Sequence, residues 1–285
     1  MNIIILPTET EVAERGADLV SRQLQRKADS VLGLASGITP VKMYRELVVR
    51  FRKGEISFAR SKTFQLDEYV GLEKSNAHSY SYFMQTRFFN QIDIVNSNTH
   101  SLTCGVDADF TRIGAEYDDN IDAAGGIDLQ ILGMGSDGHI GFNDPGASFA
   151  SRTRVVQLSE SALRRIPRAH RELGLATTMG LRTIREARHI LLVATGGHKA
   201  AAVKNALEGP MSVLCPASCL QFHSNVTVLL DEEAARDLEL KDTHKARFQG
   251  RMRLLEASIP AFDTRHVAQR EIAINAIYPT ATPMQ

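Results

Sequence analysis

The sequence has no excess of either charge and no long apolar run. Lys plus Arg and Asp plus Glu number 33 each, so the formal net charge of the 285 residues is zero. A global field that would attract nucleic acid or an anionic membrane is therefore not expected, and an anionic substrate would have to meet a local basic cluster. No apolar run approaches the roughly 18 residues that span a bilayer. We expect a globular protein whose partner is a small molecule, with no nucleic acid and no membrane.

Cysteine is scarce, and the N-terminus lacks the marks of a secretory signal. The three cysteines, Cys104, Cys215 and Cys219, are odd in number and follow no disulfide or zinc-binding spacing. The first residues, MNIIILPTETEVAERG, contain a short apolar run but neither a basic start nor a small-residue cleavage site. These features predict a protein of the reducing cytoplasm that begins with a β-strand.

Short apolar runs alternate with segments of helical periodicity along most of the chain. Strands are predicted at 2–6, 31–35, 62–66, 127–132, 189–194 and 226–230, and helices at 8–26, 40–52, 79–89, 107–124, 159–171, 199–207 and 232–240. In the second helix, Thr39 and Pro40 are the predicted N-cap and first residue. This alternation is typical of βαβ units and predicts an α/β fold with a mostly parallel sheet.

The domain organisation is predicted to be simple. We find no internal repeat and no linker-like composition, so residues 1–240 are expected to form a single α/β domain. Residues 241–285 have weaker patterning and are expected to be a C-terminal extension, packed on the domain or on a neighbouring subunit. Its last residues, rich in Pro and Thr, predict a frayed end.

One stretch, ILGMGSDGHIGFNDP at 131–145, combines a strand with a Gly-rich loop that carries a histidine between two carboxylates. Enzymes of the α/β class present their chemistry at the carboxyl ends of the strands. His139 can transfer a proton near neutral pH, and a carboxylate from Asp137 or Asp144 can fix its tautomer and raise its basicity. The alternative is a tight loop whose polar groups are merely satisfied.

Two further strands end in polar loops. In LASGITP, backbone N–H groups at Ser36, Gly37, Ile38 and Thr39 would open onto a helix N-terminus and could cradle a phosphate, although many such turns bind nothing. In FQLDEYVGL, an extended chain would place the carboxylates of Asp67 and Glu68 on opposite sides, one for a site and one for structure. A solvated acidic turn is the alternative for this pair.

Two basic residues could grip a phosphate. Arg168 lies in the run RRIPRAHRE, and Lys199 begins a helix after Gly196 and Gly197. The alternatives are a solvated helix face for the arginine run and an ordinary surface lysine.

A family resemblance rests on six segments that occur in one order, namely LGLASGITP, FQLDEYVGL, HSYSYFM, ILGMGSDGHIGFNDPGASFASRTR, TMGL and HSNVTVLLD. They resemble the glucosamine-6-phosphate deaminases, also called isomerases, over nearly all of residues 1–240. The resemblance implies a Rossmann-like sheet flanked by helices on both faces. It also implies conversion of D-glucosamine 6-phosphate and water to D-fructose 6-phosphate and ammonia, with no metal and no organic cofactor.

The resemblance also assigns roles to residues. Asp67 would be the general base that moves the C2 proton to C1, and His139 would open the sugar ring by acting on the ring oxygen. Asp137 would hold and polarise His139. The third member of this triad is usually Glu in the family, whereas the matching residue here is Asp144, one methylene shorter. This difference leaves the choice between the gluco and galacto epimers of the substrate open.

The phosphate would be held by the backbone at positions 36–39 and by two basic side chains. Both Arg168 and Lys199 match phosphate-binding basic residues of the family, and Arg168 also matches its mobile lid, which would close over bound substrate. The segment that carries Arg168 is shorter than in the family.

The resemblance extends in part to regulation. The allosteric bacterial branch has a run Ser-Arg-Thr-Arg-x-Lys that binds N-acetylglucosamine 6-phosphate between subunits. Here the Ser-Arg-Thr-Arg run is kept at 151–154, but Val156 stands where the Lys would be. Ser148 and Arg154 are therefore candidates for the remnant of an allosteric site, and we predict weak or absent activation by that ligand.

Three rival functions and one expectation about assembly stay open at this point. A galactosamine-6-phosphate deaminase is the nearest rival. The related 6-phosphogluconolactonases share the fold and a DGH loop, but the FNDPG and DEYVGL segments favour the deaminase. A sugar-phosphate-sensing module is the non-enzyme rival, although the regulators of this fold carry an N-terminal helix-turn-helix. The resemblance also predicts a homo-oligomer, either a hexamer or a smaller assembly.

Overall fold

The computed structural model describes residues 1–164 and 173–257, in which strands and helices alternate. The strands are β1 Asn2–Leu6, β2 Val31–Leu34, β3 Lys62–Gln65, β4 Asp67–Tyr69, β5 Thr99–His100, β6 Leu129–Gly133, β7 Arg154–Gln157, β8 Leu175–Thr178, β9 Ile190–Ala194 and β10 Val226–Asp231. The helices are α1 Glu9–Arg26, α2 Ile38–Arg52, α3 Tyr80–Arg87, α4 Phe110–Ala123, α5 Glu160–Leu163, α6 Leu181–Arg185, α7 Ala200–Leu207 and α8 Lys241–Ala257.

The main sheet is parallel and, within the described residues, has seven strands in the order β1-β10-β9-β6-β2-β3-β5. From β2 the chain moves outward through β3 to β5, and from β6 it moves the other way through β9 to β10. The strand order therefore reverses between β2 and β6. In open α/β sheets a ligand binds at such a reversal, outside the carboxyl ends of the strands.

Helices cover both faces of this sheet, because each central strand is apolar on both sides. Side chains alternate along a strand, so Leu192 packs in one core with residues of α4 and α7, while Leu191 and Val193 pack in the other with residues of α1 and α2. The capping box at α1 fixes the first helix, since Thr8 Oγ1 accepts the Glu11 N–H at 3.2 Å and the Glu11 carboxylate accepts the Thr8 N–H at 3.0 Å. The predicted single-domain, Rossmann-like α/β fold is confirmed.

A small antiparallel sheet, β4-β8-β7, lies beside the main one and was not predicted. Its strands have three or four residues each, which is too short for a periodic pattern to stand out. This sheet places Asp67, Thr178 and Arg154 in one row across the three strands.

Two predictions about helices were wrong. The segment 232–240 forms turns and no helix, because carboxylates draw its backbone N–H groups away from helical partners. Asp231 Oδ1 accepts from Ala234 N at 2.8 Å, and the Glu208 carboxylate accepts from Leu240 N at 2.9 Å. The second helix begins at Ile38, so that Gly37 rather than Thr39 is its N-cap.

The C-terminal segment from residue 241, whose sequence pattern is weak, begins with the 17-residue helix α8. This helix lies against β1, where Arg251 Nη1 donates to Asn2 Oδ1 at 2.5 Å and Phe248 packs on the core. The frayed end expected after it lies outside the described residues. None of the helices in the described segments combines the length and hydrophobicity needed to cross a lipid bilayer.

Candidate active site

A cavity of about 260 Å³ lies at the carboxyl ends of β2, β3, β6 and β9. Parallel strands end at the same edge of a sheet, so residues that are far apart in sequence meet there. The cavity is lined by three of the loops selected from the sequence and by the turn after β9, including Ser36, Asp67, His139 and Lys199.

The first loop offers backbone donors at the start of α2. Gly37 has φ +123°, a conformation that favours glycine, and α2 has no side chain bonded at its N-terminus. The N–H groups of this first turn are therefore available to an anion, which the helix dipole also favours. Ser36 Oγ is buried and has no hydrogen-bond partner among the described residues. Ser36, Gly37 and Thr39 line the cavity.

Lys199 contacts the same loop. The turn that carries it needs Gly196 at φ +88°, whose N–H is held by both carboxylate oxygens of Asp231 at 3.0 Å. The Lys199 side chain is buried and donates to Thr39 Oγ1 at 3.0 Å. A buried ammonium beside the helix N-terminus gives this end of the cavity a positive character, which suits a phosphate group.

Asp67 and Glu68 point in opposite directions, as alternation along an extended strand requires. Asp67 lines the cavity, whereas Glu68 turns inward and accepts three backbone N–H groups, from Tyr69 at 2.9 Å, Tyr80 at 3.0 Å and Ser81 at 2.8 Å. Burial raises the pKa of Glu68, and these hydrogen bonds oppose that rise. Glu68 therefore fastens β4 to α3 and leaves Asp67 to face the cavity.

Asp67 has the environment of a strong proton acceptor. Its side chain is buried, and Oδ1 has no partner within the described parts of the chain. Burial, followed by the charge of Glu68, raises the pKa of Asp67 from 3.8 to about 8. A carboxylate with a pKa near the working pH is effective both at taking up a proton and at returning it.

The third loop gathers the histidine and its two carboxylates. One ligand-type atom from each of Asp137, His139 and Asp144 lies within 4.8 Å of the others. His139 Nδ1 lies 2.6 Å from Asp137 Oδ1, which also accepts the His139 backbone N–H at 3.1 Å. A Cβ at Gly135 would lie 2.1 Å from the imidazole ring, so glycine is needed for the ring to sit over the backbone.

The electrostatics of this loop favour an ionised Asp137. Partial burial opposes ionisation, but the hydrogen bonds from His139 and the charge of its ring lower the pKa of Asp137 below its usual value. An ionised Asp137 fixes the proton of His139 on Nδ1 and leaves Nε2 to act on a substrate. The three side chains also have the donor types of a divalent metal site, although Asp137 is already engaged with His139.

Comparison with known proteins places the chain in a family. The family model described as glucosamine-6-phosphate isomerases/6-phosphogluconolactonase matches residues 7–229. The chain belongs to this family. A protein of Colwellia psychrerythraea named glucosamine-6-phosphate deaminase is 46% identical over 243 residues, which cover 84% of this chain and 91% of the relative. One of Shewanella loihica with the same name is 44% identical over 265 residues, or 92% of this chain and 98% of the relative.

Solved structures of the isomerase/lactonase family have the same fold. A monomeric glucosamine-6-phosphate deaminase is 39% identical, with a TM-score of 0.77, and the match covers 83% of this chain and all of that one. A 6-phosphogluconolactonase from Trypanosoma brucei has a TM-score of 0.67 at 21% identity, covering 83% of this chain and 98% of that one. The second likeness concerns the fold alone.

In this member of the isomerase/lactonase family, not every candidate residue reaches the cavity. Arg168 lies outside the described residues. Ser148 is exposed, and its Oγ accepts the Ala150 N–H at 3.2 Å. Arg154 is partly buried and donates to Asn143 Oδ1 at 2.9 Å. The two candidates for an allosteric remnant thus have local partners, and only one of them contacts the loop of His139.

Sequence reasoning missed several cavity residues of this family member. His198 lines the cavity directly before Lys199, and its ring lies over Gly196. Tyr80 and Phe142 form an aromatic wall with ring centroids 6.1 Å apart. Tyr80 belongs to the HSYSYFM segment of the family resemblance, but the sequence did not indicate that its ring lines the cavity. His198 could have been predicted to line the cavity because it directly precedes Lys199, a candidate phosphate ligand.

Proposed function

We propose that this chain is a glucosamine-6-phosphate deaminase, which converts D-glucosamine 6-phosphate and water to D-fructose 6-phosphate and ammonia. The observation that carries the proposal is that one cavity contains a buried carboxylate, a carboxylate-backed imidazole and a basic helix N-terminus. Relatives that are 42–46% identical and carry this enzyme name support it. The description of the matching family model also names 6-phosphogluconolactonase, but the solved structures with that name are only 17–21% identical and support the fold alone.

Substrate binding would begin at the phosphate. The N–H groups at the start of α2 and the Lys199 ammonium would hold it, with Ser36 Oγ as a further donor. Fixing the phosphate brings the sugar chain across the cavity towards Asp67 and His139. Holding a reactant in place in this way lowers the entropic cost of the chemical steps.

The chemistry would proceed through ring opening, an isomerisation by proton transfer and a hydrolysis. His139, oriented by Asp137, would move the proton of the anomeric hydroxyl to the ring oxygen, which breaks the ring C–O bond and gives the open aldehyde. Asp67 would then take the proton from C2, which gives an enolamine once the C1 oxygen has taken up a proton. Asp67 would return its proton to C1 while the C2 amino group gives up a proton, so that the aldose becomes an imine at C2 with a hydroxyl group on C1. Water adds to that imine, the C–N bond breaks and ammonia leaves, which gives the ketose. Asp144 would orient His139 or assist the departing amine.

No metal ion and no organic cofactor enters this scheme, as the family resemblance predicts. Each step is a proton transfer or the addition of water, and the side chains named above suffice to carry the protons. The triad of Asp137, His139 and Asp144 is assigned here to proton transfer rather than to metal binding. Activity that survives prolonged treatment with a chelator would agree with this assignment.

The test is ammonia release measured with glucosamine 6-phosphate and with its galacto epimer, alongside lactone hydrolysis with 6-phosphogluconolactone. We expect turnover of the gluco epimer, with loss of turnover but retained substrate binding in Asp67→Asn. Faster turnover of the galacto epimer would move the assignment to that substrate, for which Asp144 in place of Glu leaves room. Lactone hydrolysis without ammonia release would refute the proposal.

Three further proposals concern the protein's setting. A homo-oligomer, either a hexamer or a smaller assembly, remains a prediction, and the solved relative with 39% identity is described as monomeric. Light scattering against the chain mass of 31.4 kDa distinguishes these states. The second proposal is a cytoplasmic location, which cell fractionation tests. The third is weak or absent activation by N-acetylglucosamine 6-phosphate, which is tested by substrate curves measured with and without that ligand.

A further inference from the structure

The small sheet connects the candidate base with the loop of the candidate histidine. Asp67 on β4 pairs with Thr178 on β8, and Thr178 pairs with Arg154 on β7. Thr178 Oγ1 accepts the Phe142 N–H at 3.1 Å, and Arg154 Nη1 donates to Asn143 Oδ1 at 2.9 Å. One row of this sheet therefore contains Asp67 on β4 and, on the next two strands, Thr178 and Arg154. Each of these two residues forms a hydrogen bond with the loop that carries His139.

Asn143 is the part of the loop that Arg154 holds. It is fully buried, and its Nδ2 donates to the carbonyl oxygens of Ile140 at 2.9 Å and of Met179 at 2.8 Å. The Asn143 N–H also donates to Ile140 O at 3.1 Å, which closes a tight turn. Because Asn143 lies between His139 and Asp144 in the chain, these bonds tie the backbone that carries both side chains to Met179, which follows β8.

The bond from Arg154 to Asn143 Oδ1 adds to the two bonds from Nδ2 in fixing the rotation of this amide. An amide with its oxygen and nitrogen exchanged would present NH₂ to the guanidinium and oxygen to two carbonyls, which leaves donors facing donors and acceptors facing acceptors. The guanidinium is partly buried, which lowers its pKa, but it remains charged at neutral pH. A hydrogen bond from a charged donor at such a site is stronger than one between neutral groups.

We infer that Arg154 is a positioning residue, which acts through Asn143 to hold the loop of His139 and Asp144 in register with Asp67. The inference rests on the proposed function, since it concerns where these groups lie relative to a bound sugar phosphate. It departs from the family resemblance, in which the matching arginine is a ligand for a regulatory phosphate. Arg154 does not line the cavity, so it acts without touching the substrate.

Three variants test the inference. Arg154→Gln removes the cation and the reach of the side chain, while Arg154→Lys keeps the charge with fewer donors. Arg152→Gln is the matched control, because Arg152 is two residues away and pairs with Glu186 at 2.5 Å, away from the histidine loop. The measurements are kcat and KM for ammonia release, and amide hydrogen exchange of the peptide that spans 135–147.

We expect Arg154→Gln to lower kcat by about 10- to 100-fold while KM changes by less than about threefold, since a misplaced catalytic group affects the chemical step more than phosphate binding. Arg154→Lys should recover part of the loss. Exchange in the 135–147 peptide should rise in Arg154→Gln more than in the peptides of β1 and β10. The control Arg152→Gln should keep kcat within about twofold and leave exchange in the loop unchanged.

Other outcomes would overturn the inference. Arg154 would not position the loop if Arg154→Gln kept a kcat near that of the parent. The same conclusion would follow if kcat fell equally in Arg154→Gln, Arg154→Lys and the control. If Arg154→Gln does not fold, Arg154→Lys decides the matter on the same criteria. Failure of the proposed function would appear separately, because the parent chain would then release no ammonia, while hydrogen exchange would still report whether Arg154 orders the loop.

Discussion

Replacing Asp67 by Asn should remove a loss of stability that the parent protein undergoes as the pH rises from 5 to 8. The folded state raises the pKa of Asp67 from 3.8 to about 8, chiefly by burial. Between these two values the folded protein holds a proton that the unfolded chain has released, so a rise in pH disfavours the folded state. The amide of the Asp67→Asn variant has no such proton to lose, so its contribution to stability would not depend on pH.

The magnitude follows from the slope of this linkage. Between the two pKa values, each pH unit changes the free energy of unfolding by about 1.4 kcal/mol. From pH 5 to pH 8 the parent should therefore lose up to about 4 kcal/mol relative to Asp67→Asn. Relaxation and water entry reduce such penalties in real proteins, so we expect roughly 2–4 kcal/mol. Any fixed cost of placing Asn at this position cancels, because only the change with pH is compared.

The assay is urea unfolding of both proteins at pH 5, 6, 7, 8 and 9. The difference in the free energy of unfolding should grow up to about pH 8 and then level off. An Asp107→Asn variant is the matched control, since the Asp107 side chain is exposed and its curve should run parallel to that of the parent. Parallel curves for Asp67→Asn and the parent would refute the raised pKa. Asp67 has to be ionised to act as a base, so kcat/KM should rise with pH up to about pH 8.

Three other substitutions test the cavity and the loop of His139. Lys199→Met removes the charged donor beside Thr39, so KM and the inhibition constant of inorganic phosphate should both rise about 10- to 100-fold; unchanged phosphate inhibition would contradict this role. Gly135→Ala places a Cβ 2.1 Å from the His139 ring, so kcat should fall about 100-fold with the fold retained, as checked by circular dichroism; wild-type turnover would show that the ring is not held there. Asp144→Glu restores the reach of the family residue and should raise kcat for the gluco epimer severalfold, and a fall in kcat would show that the loop is built for the shorter side chain.

The main fold follows from local patterns in the sequence. Apolar runs that alternate with helical periodicity are enough to indicate parallel βαβ units, and the predicted boundaries of the confirmed strands differ from the observed ones by at most two residues. The positions of the strand-end loops follow as well, because parallel strands in one sheet bring their carboxyl ends together. The glycines beside His139 and the opposite directions of Asp67 and Glu68 could also be predicted from the sequence, because turn formation and alternation along a strand depend on neighbouring residues.

Other features were decided by tertiary contacts that leave little trace in the sequence. The small sheet has strands too short to show a period, and it forms because β8 can pair with β4 on one side and β7 on the other. The segment 232–240 has helical composition but forms turns, because Asp231 and Glu208 bind its backbone N–H groups from outside.

Local sequence patterns identify which residues can carry chemistry, whereas the folded arrangement assigns each of them its role. Asp67 and Glu68 are adjacent carboxylates with no visible difference in the sequence. The fold buries Glu68 among three N–H donors and leaves Asp67 at the cavity with a raised pKa. Arg154 likewise belongs to a run that resembles a regulatory site, and its bond to Asn143 exists only because β7 and the histidine loop meet in space. Burial and hydrogen bonding between distant segments set these properties, and neither is encoded locally.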